Sequence, residues 1–528
     1  KLEAPVFKSA PADTAITFKV EQVAGADQGD WIGAISLSGE GAPVIATATA
    51  REVHLASGAS LPFPGGQSNT RPGTHSILPV DFNYDFKTDL VLTGDGGVRF
   101  FRQDSPSVFK DVTSETKLPA AILNKSTESA WSADIEADGD LDIVLSAAYS
   151  VPTVLRNNGD GSFTEIQPFP NIEGLRDFAW ADLDADGDPD AAIIDGPLQL
   201  HVFSNERQGQ FTERAVPGPV LANAIAVMDV DNDGVLDLLA VQSGGAIMRL
   251  SDKDHGLDWV RTEIAKLPKP PNFSISGPLN FEIADVDNNG GLDLLILSSY
   301  PPPIPVNCAP PCNAGALIWL NDGNGKFNLM ENPAWSERVF DVADVNNDGR
   351  LDLLGVTREG RPLQAINQGS KNYHWQIVRP RASNAVGDQR INPFGVGGEM
   401  EIRSGLLVQK QPITGPMLHF GLGEQTSADV IRVTWPNGTV RADFEVKADQ
   451  DVVTEQRLKG SCPFLFAYNG KQMEFVKDAV PWGSAIGLRI NTLGTASVAA
   501  TEEWYKIGRE QLVPRDGYYD LRITAELW

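Results

Sequence analysis

Six short segments place carboxylate or amide side chains at alternate positions and then run into an aliphatic stretch. In order they read DFNYDFKTDLVL from Asp81, DIEADGDLDIVL from Asp134, DLDADGDPDAAI from Asp182, DVDNDGVLDLLA from Asp229, DVDNNGGLDLLI from Asp285 and DVNNDGRLDLLG from Asp344. Carboxylates this crowded repel one another, and a hard cation among them relieves the repulsion. Calcium takes about six to eight oxygen ligands in flexible geometry, which alternate residues of a tight loop can supply. In the Asp182 copy, Asp182, Asp184, Asp186 and Asp190 offer side chains and Asp188 a backbone carbonyl. Gly187 sits where the loop must turn sharply and where positive φ favours a residue without Cβ.

One such loop alone reads equally as a solvated acidic turn. The recurrence decides the matter: first positions are separated by 53, 48, 47, 56 and 59 residues, a quasi-regular period that a charge run does not produce. An EF-hand opens similarly but needs an acidic ligand at its twelfth position. Those positions are Leu92, Leu145, Ile193, Ala240, Ile296 and Gly355, so EF-hands are excluded.

The elements that must hold these loops follow from what comes next. Each loop leads into a Val/Ile/Leu-rich run closed by turn residues, the pattern of a strand buried on both faces. A second strand and a Gly-containing turn follow, clearest in TVLRNNGDGSFTEI at 153–166 and LIWLNDGNGKFNLM at 317–330, which read as hairpins. About four short strands per repeat of roughly 50 residues describe propeller blades. Ahead of Asp81, SLSGEGAPVIATATAREVHLASG aligns as a degenerate copy, with Ser36 in the first position, Gly41 in the glycine position and Val44 where the last Asp belongs. The expected fold is therefore all-β, a seven-bladed propeller in which six blades carry candidate metal loops.

These repeats resemble the FG-GAP or VCBS repeats of integrin α-subunit propellers and of bacterial secreted proteins, whose D-x-D-x-D-G-x-x-D loop binds calcium. The resemblance implies oxygen ligands at the first, third, fifth and ninth positions, with the seventh as a carbonyl. They are Asp81, Asn83, Asp85 and Asp89; Asp134, Glu136, Asp138, Asp140 and Asp142; Asp182, Asp184, Asp186, Asp188 and Asp190; Asp229, Asp231, Asp233, Val235 and Asp237; Asp285, Asp287, Asn289, Gly291 and Asp293; and Asp344, Asn346, Asp348, Arg350 and Asp352. Up to six calcium ions are implied. The Asp81 loop departs from the pattern in having Phe86 for glycine, and a bulky residue at positive φ is costly. It is expected to be the weakest site, and the loops at Asp134, Asp182 and Asp229 the strongest.

Past Asp352 the composition changes. INQGSKNYHWQIVRPRASNAVGDQRINPFGVGGEMEIRSG, HFGLG at 419–423 and WPNG at 435–438 resemble the ASPIC/UnbV module that follows such propellers in the cartilage acidic protein family and its bacterial relatives. From its residues alone this region reads as antiparallel β, sandwich-like in class, with GEMEIRS, DVIRVTW and DFEVKA alternating apolar and polar residues. The organisation expected is an N-terminal extension at 1–15, the propeller at 16–369, the ASPIC/UnbV domain at 370–457 and an incomplete β segment at 458–528. His419 reads as a structural hydrogen-bonding residue and Trp435 as core. Residues 517–527, GYYDLRITAEL, are expected as a strand with Tyr519, Leu521 and Ile523 on a buried face. Its free edge or face would be completed by residues beyond 528 or by a partner chain.

The chain has 528 residues, 41% of them hydrophobic, with 50 Gly and 36 Pro, and a formal charge of −27. Such acidity argues against nucleic acid or an anionic membrane surface as partner, and no apolar run reaches the ~18 residues of a membrane span. Cys308 and Cys312 could pair locally in an oxidising compartment or remain free thiols; with Cys462 they are too few for a four-cysteine zinc site. The chain begins KLEAPVF without a Met, so any signal peptide is expected to have been removed already. No H-E-x-x-H, G-x-S-x-G or phosphate-loop spacing occurs, and there are six His, so no catalytic constellation is expected. These observations, with the resemblance, suggest a non-enzymatic extracytoplasmic protein, secreted, periplasmic or at the cell surface, acting as a scaffold for a protein or glycan. The alternatives are a subunit of an envelope complex docking through its C-terminal β region, and a carbohydrate-binding or carbohydrate-active propeller.

Overall fold

A computed structural model describes residues 8–524 except 147–149, 170, 207–208, 217, 219, 254–257, 269–278, 298–314, 324, 331–337, 383–390, 457–463, 479–488, 492–493, 496–506 and 510. Cys308, Cys312 and Cys462 lie outside the described residues, as do most of the Pro-rich insertions of the two longest repeats.

Seven four-stranded antiparallel sheets are found between residues 18 and 367. Six of them run inner to outer in chain order, as in Ala130–Ala133, Asp142–Leu145, Thr153–Asn157 and Phe163–Ile166. The last sheet is made differently. Arg338–Ala343, Asp352–Val356 and Pro362–Asn367 take their fourth strand from the N-terminus, Phe18–Gln22, which pairs with Pro362–Asn367 from Phe18↔Asn367 to Gln22↔Leu363. The two ends of the propeller segment are thus hydrogen-bonded together, and the inner strand Trp31–Ile35 of the first sheet packs on Arg338–Ala343 of the last. This is a closed β-propeller, in which ring closure removes the long unpaired edges an open sheet would leave.

The aliphatic runs are buried as their composition requires. Asp190–Ile194, Asp293–Leu297 and Asp352–Val356 are buried at every position, because each second strand is covered by a neighbouring blade on both faces. Successive apolar clusters join neighbouring blades; one contains Ala181, Ile194, Leu238 and Trp259 and the next Met228, Leu239, Leu294 and Trp319.

The chain then builds two further sheets. Leu407–Pro412, Glu399–Ser404, Ser427–Thr434 and Val440–Lys447 form one, and Leu418–Gly423, His374–Arg381 and Gln450–Glu455 the other. The second sheet is mixed rather than wholly antiparallel, because His374–Arg381 pairs in parallel with Gln450–Glu455. Trp435, only 1% exposed, lies in the core between them with Met400, Phe420 and Ile431, the core role its sequence context suggested.

Phe464–Tyr468 and Met473–Asp478 form the hairpin expected around Asn469-Gly470. The terminal strand starts later than the 517 expected, and 525–527 lie outside the described residues: Leu521–Thr524 pairs with Phe464–Tyr468 at the edge of a three-stranded sheet. Tyr519 precedes it and is exposed, as are Leu521 and Ile523. Alternation identified the strand but not its cover, which a period of two cannot specify.

Candidate metal loops and the domain that covers them

All six acidic loops join an inner strand to the second strand of their sheet, and all share one hydrogen-bond frame. The first Asp accepts the backbone N–H of the fifth residue on one oxygen and that of the sixth on the other. In the Asp285 loop these are Asn289 N at 3.1 Å and Gly290 N at 2.7 Å; in the Asp344 loop, Asp348 N at 3.2 Å and Gly349 N at 2.7 Å. The ninth residue, which begins the second strand, ties the loop to the third strand. Asp142, Asp190, Asp293 and Asp352 accept N–H from Asn157, Asn205, Asn321 and Asn367 at 2.7–3.0 Å. The frame needs left-handed backbone at the fourth and sixth positions, such as Asn288 and Gly290 at φ of 59° and 91°. At the sixth position of the Asp81 loop, Phe86 adopts φ of 62°, the strain its sequence implied. The degenerate first copy keeps the geometry without the acid: Gly41 has φ of 68° and Val44 opens its second strand.

In three loops the carboxylates converge. One ligand oxygen from each of Asp182, Asp184 and Asp190, of Asp229, Asp231 and Asp237, and of Asp285, Asp287 and Asp293 lies within 4.8 Å of the others in its group. The donors are all oxygen, as a hard cation prefers. Elsewhere Asp89 Oδ2 and Glu136 Oε2 are buried without a hydrogen-bond partner, which is costly unless something external occupies them. Burial, with mutual repulsion, raises the carboxyls: Asp134, Asp182 and Asp229 to about 7, Asp190 to about 8, and Asp285 and Asp293 well above the usual range. The residues thus fit a divalent cation, and the acidic groups are compatible with calcium. Such an ion would be held by the first, third and ninth carboxylates and would brace the turn between two strands.

The loops differ in the charge their surroundings provide, which the repeat pattern did not reveal. Arg249, on the third strand of its own sheet, reaches Asp237 Oδ1 at 2.9 Å and Asp231 Oδ2 at 2.7 Å. Arg214, on the outer strand of the Asp182 loop's own sheet, lies 3.6 Å from Asp184 and 2.6 Å from Asp252 of the next sheet, stacked over Trp259. Arg156 pairs with Glu136, Lys87 with Asp85 and Arg350 with Asp348. Among the described residues the Asp285 loop alone has no carboxylate in an ion pair, and its Asp285, Asp287 and Asp293 are all buried. No sequence signal marked Arg249 or Arg214, because each reaches its loop from a different strand.

The loop face is covered by the domain that follows. Lys410 Nζ donates to Gly234 O at 2.6 Å, His419 Nε2 to Gly349 O at 3.0 Å, Gln409 Nε2 to Asp285 Oδ2 at 3.2 Å and Gly423 N to Asn288 O at 2.8 Å. At the degenerate copy Arg379 donates to Gly41 O at 2.7 Å. Trp375 packs so closely on Gly349 that the glycine could not carry a Cβ, and the end of Leu407 fills the place a Cβ on Gly290 would take. Phe394 meets Phe86 edge-on, with ring centroids 6.4 Å apart. Burial lowers His419 to about 4, so its imidazole is neutral and serves as a donor, the structural role its sequence context suggested.

Beneath this cover the propeller axis holds two adjoining cavities of about 470 and about 360 Å³, closed on the loop side by residues 411–419. Four carboxylates line them, Asp344 of the last acidic loop and three on the inner strands. Asp177 accepts Ile225 N at 2.9 Å and Asp341 accepts Ala34 N at 2.7 Å, each from the next blade, and both also accept the N–H that follows them. They are inter-blade staples. Glu282 takes a 2.8 Å hydrogen bond from Asn280. Among the described residues no Lys or Arg lines either cavity, and burial raises Asp177 and Asp341 to about 7 and raises Glu282.

Comparison with known proteins agrees with this architecture. The FG-GAP-like repeat family model matches three successive segments, 81–145, 134–193 and 182–240, and the ASPIC and UnbV model matches 390–459. No curated protein matches the chain. Among solved structures, a lectin of Agrocybe aegerita that recognises non-reducing terminal N-acetylglucosamine is 20% identical, covering 63% of this chain and 91% of its own at a TM-score of 0.42. BBS1N in complex with ARL6DN is 13% identical, over 70% and 99%, at 0.39. YCF48 bound to D1 peptide is 10% identical, over 69% and 99%, at 0.40. The chain is a β-propeller with FG-GAP-like repeats, joined to an ASPIC and UnbV domain.

Proposed function

We propose that this protein is a non-enzymatic, extracytoplasmic, calcium-braced scaffold that presents a rigid surface to a protein or glycan partner. The observation that carries the reading is the shared loop frame, in which carboxylates converge at three loops and are held ready by backbone N–H groups. An ion there braces the link between the first two strands of its blade and does no chemistry. The axial carboxylates Asp177 and Asp341 are taken up by backbone N–H groups, which speaks for architecture rather than acid–base work. Because the ASPIC and UnbV domain occupies the inner part of the loop face, the partner surface lies on the opposite face, the blade edges or the domain itself.

A ligand bound only by the folded state stabilises by mass action. Chelation should therefore lower the melting temperature and calcium restore it, with magnesium a poor substitute because it demands tighter octahedral geometry. An unchanged melt after verified metal removal rules the reading out. One observation favours the subunit alternative: Phe475, Tyr518, Tyr519, Leu521 and Ile523 are exposed in one C-terminal region, an apolar surface of the kind a partner chain covers. Native purification from the source, asking what co-purifies, separates the two.

A further inference from the structure

The Asp285 loop is unlike the other five. Asp285, Asp287, Asn289 and Asp293 are all buried, and no basic side chain neutralises them among the described residues. Two separate parts of the chain close over this loop, and a third ties one of them down. From the ASPIC and UnbV domain, Gln409 donates to Asp285, Gly423 N donates to Asn288 O, and Leu407 fills the space above Gly290. From the N-terminus, Ala10 N donates to Asn289 O at 2.8 Å and Asp13 N to Asp287 Oδ2, while Lys8 N reaches Leu406 O of the domain at 2.9 Å. The third part is the connection into the domain. Asp13 accepts Ser370 N at 2.6 Å and Lys371 N at 3.0 Å, and Tyr373 donates to Pro11 O at 2.6 Å.

Resting on the calcium reading above, we infer that cation occupancy of the Asp285 loop and docking of the ASPIC and UnbV domain are one linked equilibrium, so that this single loop acts as the latch. Buried ionised carboxylates without a counter-charge are strongly unfavourable. Without a cation the charge is relieved by protonation or by opening to water, and the loop cannot open while Leu407, Gln409 and the 8–13 strap lie across it. At the other five loops a Lys or Arg supplies part of the missing charge, so the same loss is better tolerated. Linkage is reciprocal: whatever loosens the domain weakens cation affinity at this loop by the same factor.

The test is hydrogen exchange with mass spectrometry on the full chain, with calcium and after chelation, and on Asp287→Asn and Asp138→Asn, which remove one ligand carboxylate at the third position of the latch and one at the fifth position of a loop with its own arginine. Bound calcium is counted by equilibrium dialysis throughout. Chelation should speed exchange at 399–423 about tenfold or more while the strands at 142–145 and 190–194 keep their protection, as expected of a separately opening unit. Asp287→Asn should reproduce this in calcium and Asp138→Asn should not. Calcium bound, with exchange at 399–423 indifferent to chelation and to Asp287→Asn, overturns the latch while leaving the calcium reading intact. Absence of bound calcium overturns both. If Asp287→Asn does not fold, the wild-type chelation arm still decides between these outcomes.

Discussion

The Asp229 and Asp285 loops share a motif, a backbone frame and a converging carboxylate triad, yet they solve the problem of buried negative charge in different ways. At the first, Arg249 lies within 3 Å of both Asp231 and Asp237. At the second no basic side chain among the described residues pairs with the triad, which is sealed beneath another domain. A repeat pattern therefore reports where an ion could be bracketed, and the surroundings of each copy decide how much depends on it. On this basis we propose that dependence on a cation is greatest at Asp285, a property distinct from the site strength expected from carboxylate count at Asp134, Asp182 and Asp229.

Arg249→Met offers the most forceful way to break the contrast. Arg249 is mostly buried and Asp237 almost entirely so, and removing one partner of a buried pair typically costs about 3 kcal/mol because the other charge is left uncompensated. Without calcium the variant should lose roughly that much stability. With calcium much of the loss should return, because the Asp229 loop would then resemble the Asp285 loop in needing an outside cation. Denaturant titrations with and without calcium measure both, and an equal loss in the two conditions would show that Arg249 does not share its place with an ion.

The axial carboxylates sharpen the comparison from another side, since they are buried acids with no loop frame. Asp177 and Asp341 stand at about 7 and Glu282 is raised, whereas free carboxyls titrate near ~4. A raised carboxyl favours the folded state while protonated, so its contribution is lost as pH rises through the folded value. His75 and His419, both lowered to about 4 by burial, act in the opposite sense, but only below the ~6.5 of an unfolded histidine. Between about pH 6.5 and 8, at saturating calcium, stability should therefore fall, by less than the loss from Arg249→Met. A rise over that interval would mean that the axial acids are ionised in the fold and have found a counter-charge.

What the sequence revealed was local. The first and ninth Asp, the turn glycine and the aliphatic run fall within a dozen residues, so loop and second strand were readable together, and the degenerate copy at Ser36 was found by spacing alone. What it hid was distant. Gln409 meets Asp285 across 124 positions and Asp13 meets Ser370 across 357, and neither contact leaves a periodic trace. The terminal strand lies between these cases: alternation marked Leu521 and Ile523 correctly as strand residues and gave no information about what, if anything, lies over them.

The smallest effect concerns the Asp81 loop, where the shared frame is kept by the wrong residue. Phe86 sits at φ of 62°, a conformation that costs an L-residue roughly 1–2 kcal/mol. It is held there by Phe394, by Tyr84 at 5.5 Å and by the Arg381 guanidinium 4.9 Å above its ring. Phe86→Gly and Phe86→Ala both lose that packing and differ only in backbone freedom. At an ordinary negative φ, alanine is the more stable of the two by about 0.5–1 kcal/mol, because glycine loses more conformational entropy on folding. Here the order should reverse, with Phe86→Gly more stable by about 1 kcal/mol in calcium-saturated denaturant titration. If alanine proves the better residue, the sixth position of this loop is not left-handed in solution, and the Asp81 copy does not share the frame of the other five.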